Sequence, residues 1–191
     1  MTFESSRLGT HEADDEQALR GTEQGDRSAL VTLYNRHAPA LLAHLTLVTG
    51  DRGLAEEVLQ DTMLAIWRNA GSFKNQSSVR SWIFSIARRQ ARDRLRRRRP
   101  KVVSQELLSE HPAAEPGPED IVFDRAKAAM VAREIKRLSV VHREVLNLTF
   151  GTGLSLAETA AVLDVPIGTV KSRLSAARAA LANALTKNGF E

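Results

Sequence analysis

Two groups of residues in this chain have the types and spacing to do chemistry on a polyanion. The first is a run of arginines, eight of them between Arg88 and Arg99 in RRQARDRLRRRR. Like charges at helical spacing repel, so the strip is costly unless an anion binds it. The aromatics Phe73, Trp82 and Phe84 lie near it in the chain, and aromatic rings stack unpaired bases at about 1–3 kcal/mol each. Trp82 is expected to be mostly core with one edge available. The second group lies in residues 154–181, LSLAETAAVLDVPIGTVKSRLSAARAAL. At ~100° per residue, Thr169, Lys171, Ser172, Ser175 and Ala176 point away from an apolar stripe, with Arg173 and Arg178 on its flanks. Small polar side chains let a helix enter a major groove while flanking cations reach phosphates. An ordinary helical hairpin with a solvated polar face has the same pattern.

The elements that must hold this second group are two short amphipathic helices. Ser155 and Glu158 form an S-x-x-E capping box that opens the first, whose Leu156, Thr159, Ala160 and Leu163 share a face. Asp164-Val165-Pro166 breaks it, because proline cannot continue a helix. The second helix buries Ile167, Val170, Leu174, Ala177 and Leu181 as one stripe. Together they read as a helix-turn-helix.

The arginine strip is the later half of another helix, which starts near Val79 and turns Val79, Trp82, Ile83 and Ile86 to a core. GSFKNQSS, residues 71–78, is a loop before it. Upstream, Asp51 opens a helix with Ala55, Val58, Leu59, Thr62, Met63, Ile66 and Trp67 on its core face. Glu56, Glu57, Gln60 and Asp61 lie opposite, either as a solvated acidic face or as a docking surface for a basic helix. Asp26 is a cap for a helix carrying Leu30, Leu33, Tyr34 and His37, which Pro39 should kink or interrupt and Gly50 should close. His37 and His44 are expected at the surface or its boundary, since no third ligand at metal spacing accompanies them.

These patterns describe an all-α protein of two small helical domains joined by a flexible acidic linker. Residues 1–12 are expected as a disordered polar tail and 13–100 as the first domain. The linker is 101–119, rich in Pro and Glu. Residues 120–191 are the second domain, containing the helix-turn-helix. Charge follows this division. Residues 80–101 carry ten Arg/Lys against one Asp, whereas 102–124 carry six acidic groups and no basic ones. Two basic segments around an acidic one suggest two contacts with a polyanion and a linker that avoids it.

Several classes are disfavoured. The chain has no cysteine, so disulfides and thiolate metal sites are excluded. No apolar stretch approaches the ~20 residues needed to span a bilayer, and no leader-like run opens the chain, so a cytoplasmic protein without membrane insertion is expected. No HExxH, P-loop or clustered carboxylate pair is present. Neither an enzyme, a cofactor, a metal nor a small-molecule substrate is expected.

Taken together, AEEVLQDTMLAIWR, SVRSWIFSIARRQARDRLRRRR and REVLNLTF followed by the helix-turn-helix resemble the extracytoplasmic-function (ECF) sigma factors of the sigma-70 family. These have only regions 2 and 4, here about residues 26–100 and 124–185. The resemblance implies a factor that binds core RNA polymerase and directs promoter recognition, melting and initiation. It implies that Glu57, Gln60 and Asp61 meet the clamp coiled coil of the largest polymerase subunit. A second contact, to the flap of the second-largest subunit, is implied for the C-terminal half. It places Phe73, Lys74, Asn75, Arg80, Trp82, Arg88, Arg89 and Arg92 on melted minus-ten DNA. Thr169, Lys171, Ser172, Arg173, Ser175, Ala176 and Arg178 fall on the double-stranded minus-thirty-five element. An anti-sigma factor is the further partner it implies.

The chain departs from the family pattern in three places. Arg89 stands where Asn usually follows Ile-Ala-Arg, and Arg cannot accept a hydrogen bond. Ala176 replaces an Arg that could contact guanine with two hydrogen bonds. Leu138-Ser139 replaces a Leu-Pro pair. A stand-alone helix-turn-helix regulator is the alternative reading, though neither a receiver-like strand pattern nor a sustained dimerisation heptad is present.

Overall fold

A computed structural model describes the backbone of residues 3–98 and 122–187, and side chains over 12–98 and 130–187. Among the described residues every regular element is helical. The first half contains α1 (Phe3–Glu23), α2 (Arg27–Thr49), α3 (Arg52–Asn69) and α4 (Val79–Arg98), with a 3₁₀ turn at Ala70–Ser72. The second half contains α5 (Val122–Arg137), α6 (Val140–Leu146), a wide π-type turn over Asn147–Gly151, α7 (Leu156–Leu163) and α8 (Ile167–Lys187). The acidic linker expected at 101–119 lies outside the described residues.

The helix ends are written in the local sequence. Asp26 accepts from Ser28 N at 2.8 Å and opens α2, and Asp51 accepts from Leu54 N at 2.8 Å and opens α3. Between them Gly50 ends α2 at φ 70°, the left-handed conformation glycine adopts without steric cost. Ser139 caps α6 by accepting from His142 N, so this serine supplies its own helix start.

Three expectations are corrected. Helix α1 begins at Phe3, where a disordered tail was expected over residues 1–12. The segment is polar, but it is continuous with a packed helix: Asp15, Ala18, Leu19 and Thr22 of α1 are buried, and Glu12 accepts from Val79 N at 2.7 Å at the start of α4. Helix α2 runs through Pro39 without interruption. The proline is exposed, while Leu33, Ala38, Leu41 and Leu45 on both sides of it are buried, and that burial outweighs the lost backbone bond. Finally, His37 and His44 are 1% and 0% exposed, not surface residues.

Each buried histidine has a polar partner far off in the chain. His37 Nε2 lies 2.9 Å from Asp15 Oδ2, and Arg36 Nη1 donates to Asp15 Oδ1 at 2.5 Å. Burial raises the Asp15 carboxyl, but His37 and Arg36 together outweigh it and hold the group below its usual range. His44 Nδ1 is 3.2 Å from Asn147 Oδ1, and its ring meets Phe84 edge-on at 5.5 Å. Burial pushes its pKa below the ordinary 6.5, which keeps the ring neutral in an apolar setting.

The core is continuous. Leu33, Leu41 and Leu45 of α2, Val58 and Ile66 of α3, and Val79, Ile83 and Phe84 of α4 join Val145, Leu148, Leu163 and Val170 of the second half in one buried cluster. No described helix is long and apolar enough to cross a membrane.

Candidate nucleic-acid interface

The helix-turn-helix forms as its sequence specifies. Ser155 Oγ accepts from Glu158 N at 3.2 Å, and Glu158 accepts from Ser155 N at 2.9 Å, completing the capping box. Asp164 ends α7 in the left-handed region at φ 55°, and Pro166 then leads into α8. Thr159, Ala160 and Leu163 of α7 and Val170, Leu174 and Ala177 of α8 are all buried, and the two helices are in contact. Ile167, expected in that stripe, is the first residue of α8 and is 45% exposed.

On the opposite side of α8, Lys171, Ser172, Ser175, Ala176 and Arg178 are exposed, and Thr169 and Arg173 are half-buried. Ser172 Oγ donates back to Thr169 O at 3.0 Å. The Arg178 guanidinium stacks 5.2 Å over the exposed Phe150 ring from the π-type turn. A face of small side chains edged by cations can lie in a groove and meet base edges.

The arginine strip is arranged less freely. Arg89 and Arg92 are exposed and, among the described residues, have no acidic partner. Arg80, Arg88 and Arg94 are engaged within the protein. Arg80 Nη1 donates to Thr152 O at 2.7 Å. Arg88 Nε donates to Glu144 Oε1 at 2.7 Å. Arg94 donates to Asp61 Oδ2 from Nη2 at 2.6 Å and from Nε at 3.1 Å, and its Nη1 lies 3.6 Å from Glu57. Glu57 and Gln60 are exposed and Asp61 half-buried on α3. Thus α3 and α4 bring the acidic candidates and the arginine strip side by side.

The loop before α4 has its own order. Phe73 and Trp82, both half-buried, meet edge-on at 5.6 Å, whereas Phe84 is wholly core. Asn75 adopts φ 53°, a conformation asparagine tolerates better than most residues. Lys74 and Asn75 are exposed. Phe73 and Asn75 share a cavity of about 90 Å³ with Glu16, Arg20 and Glu23 of α1.

Several contributors had no sequence signal. Ser78 accepts from Ser81 N at 3.2 Å as α4 begins, and it also donates to Glu158 of α7. Burial raises the Glu158 carboxyl, but its hydrogen bonds to Ser78 and Ser155 outweigh this and lower it. Glu144, Asn147 and Glu158 meet the first half of the chain, yet the capping box alone accounts for Glu158 in the sequence. For Glu144 and Asn147 nothing local marks them.

Comparison with known proteins agrees with this arrangement. Residues 33–101 match the family model for sigma-70 region 2, and residues 128–181 that for sigma-70, region 4. The chain is 38% identical to the ECF RNA polymerase sigma factor SigM of Mycobacterium tuberculosis, over 93% of this chain and 87% of that one. Its fold is similar to CnrH solved with the cytosolic domain of CnrY, at a TM-score of 0.64 and 28% identity, covering 91% of this chain and 98% of that one. It is also similar to RpoE solved with the anti-sigma factor NepR from Bartonella quintana, at 0.60 and 29%, covering 81% and 95%. The chain belongs to the ECF sigma factors of the sigma-70 family.

Proposed function

We propose that this sigma factor directs initiation through three surfaces. Residues 13–100 act as the region 2 domain and 120–191 as the region 4 domain, joined by a linker at 101–119. Glu57, Gln60 and Asp61 on α3 dock on the clamp coiled coil of the largest polymerase subunit. Phe73, Lys74, Asn75, Arg80, Trp82, Arg88, Arg89 and Arg92 take up the melted minus-ten strand. Extruding a base costs a few kcal/mol, offset where a pocket reads the base edge. The α8 face from Thr169 to Arg178 reads the minus-thirty-five duplex, and the same domain meets the flap of the second-largest subunit.

The observation that carries this reading is the two-sidedness of α8. Val170, Leu174 and Ala177 are buried while Lys171, Ser172, Ser175 and Ala176 stand exposed between them. A solvated hairpin has no need for such small residues flanked by cations. The protein makes and breaks no bond itself and works in the cytoplasm, where it lends core polymerase promoter specificity and strand opening. Two solved neighbours are in complex with CnrY and with the anti-sigma factor NepR, which supports an anti-sigma partner here as well. The test is run-off transcription with core polymerase on a genomic fragment library. Start sites that require the protein and disappear with Asp61→Lys support the reading. Duplex binding without any polymerase-dependent start would favour the stand-alone regulator.

A further inference from the structure

Among the described residues the large apolar side chain most open to solvent is Phe150, 58% exposed. The turn that carries it is held in one shape. Thr152 N donates to Asn147 O at 2.9 Å, Leu154 N to Leu148 O at 3.1 Å, and Thr152 Oγ1 to Leu148 O at 2.6 Å. Leu148 is fully buried, and Thr149 Oγ1 lies 3.5 Å from Thr159 Oγ1 of α7. Phe150 is not part of the buried cluster, so core packing does not account for a phenyl ring at this position.

What lies over the ring is a cation of the candidate DNA face. The Arg178 guanidinium stands 5.2 Å from the ring centroid, and no carboxylate of the described residues pairs with it. Arg178 is about three turns into α8, in the same row as Lys171 and about two turns beyond it. In a helix-turn-helix the start of the second helix meets base edges. A cation this far along is placed for the sugar-phosphate backbone, which fixes register and orientation.

We propose that Phe150 is a positioning residue for promoter binding: its ring holds the Arg178 guanidinium in place for a phosphate of the minus-thirty-five duplex. This role rests on the proposed placement of α8 against that duplex. The choice of an aromatic partner is what carries it. Arg80, Arg88 and Arg94 each give donors to an oxygen of the protein, and a phosphate must displace that oxygen to use them. A ring face attracts the charge through its quadrupole instead. It offers no oxygen to displace, so Arg178 keeps its donors for the phosphate. An unheld arginine also carries large rotamer entropy, which DNA binding would have to remove. The ring removes part of it beforehand.

The test uses the full chain bound to core polymerase and a fluorescent promoter duplex that the wild-type holoenzyme enriches from a randomised library. Phe150→Leu keeps an apolar side chain and removes the π face. It should bind about two- to fivefold more weakly than wild type, with the salt slope unchanged because the charge remains. Phe150→Trp should restore wild-type affinity, since indole is the strongest π partner. Arg178→Ala should weaken binding and lower the salt slope by about one. In that background Phe150→Leu should add nothing. In the free chain the Arg178 Nε–H resonance should lie upfield, shielded by the ring, and move downfield in Phe150→Leu. A resonance that does not move would overturn the ring contact. Weakening by Arg178→Ala but not by Phe150→Leu would overturn the positioning role and leave the reading of α8 standing. Equal weakening by Phe150→Leu with and without Arg178 would overturn it too, because the ring would then act on DNA by itself. No weakening by either variant would overturn the placement of Arg178 on the duplex.

Discussion

Arg94 closes on Asp61 from two nitrogens, Nη2 at 2.6 Å and Nε at 3.1 Å, and its third nitrogen lies 3.6 Å from Glu57. An arginine of α4, the helix proposed to meet the minus-ten strand, thereby neutralises two of the acids proposed to grip polymerase. Side chains this exposed are screened by solvent, so the pair orients the acids more than it stabilises the fold. Docking on a basic clamp helix must displace or share Arg94.

Asp61→Lys is expected to weaken core polymerase binding by more than about tenfold, since a like charge meets the basic partner at the interface. Arg94→Ala should leave core binding within a few-fold of wild type and make it more salt-sensitive, because the acids are then unshielded. Fluorescence anisotropy with labelled sigma and core polymerase at two salt concentrations distinguishes the variants.

The Asp15 carboxylate lies between His37 and Arg36 with almost no exposure. Asp15→Ala should cost about 3 kcal/mol by urea unfolding, because a buried charge partner is removed. A double-mutant cycle with His37→Ala should show that the two effects are not additive. The native carboxyl is held below its usual range, so its contribution is complete above about pH 4, the ordinary aspartate value, and is lost as pH falls through the lowered one. The Asp15→Ala variant should lack that acid-side slope.

His44 predicts a second pH effect of its own. Burial lowers its pKa below 6.5, so the folded state prefers the neutral ring. The stability it allows is complete above about pH 6.5, its ordinary value, and declines as pH falls from there toward the lowered value. Glu144 of α6 opposes the shift and Arg88 of α4 adds to it. Urea unfolding from about pH 8 to about pH 5 should show wild-type stability falling and that of His44→Gln changing less.

On α8, Lys171→Ala should weaken promoter duplex binding evenly across sequences and reduce the salt slope by about one, as a phosphate contact does. Ala176→Arg should instead create a preference for guanine at one position of the minus-thirty-five element, worth about 1–3 kcal/mol. Binding titrations over a randomised duplex library separate a uniform loss from a positional gain. A uniform effect from Ala176→Arg would place residue 176 on the backbone rather than on a base.

At Gly21 of α1 an added Cβ would stand 2.8 Å from the Ala29 Cβ of α2. Gly21→Val should cost roughly 1–3 kcal/mol through overpacking. Thermal unfolding followed at 222 nm gives the measurement, and Gly25→Ala, with open space but φ 84°, serves as a strain-only comparison.

The sequence by itself determined whatever depends on neighbours a few residues away. Asp26, Asp51, Ser155 and Glu158 fix helix starts because a side chain reaches only its own first turn, and Gly50 fixes an end through its backbone angles alone. The α8 face from Lys171 to Ala176 was legible because its periodicity sets which side is buried. Only the tertiary structure decided the remainder. Whether residues 3–12 are helical depends on what lies against that helix, including the bond from Glu12 to a backbone amide 67 positions away. His37 and His44 are inside because Asp15 and Asn147 meet them there, at separations no local pattern records. Arg80, Arg88 and Arg94 look alike in a basic string, yet Thr152, Glu144 and Asp61 give them different partners. A charge run specifies the field a helix projects. Which of its members remain free for DNA is set by the oxygens that folding brings within hydrogen-bond reach.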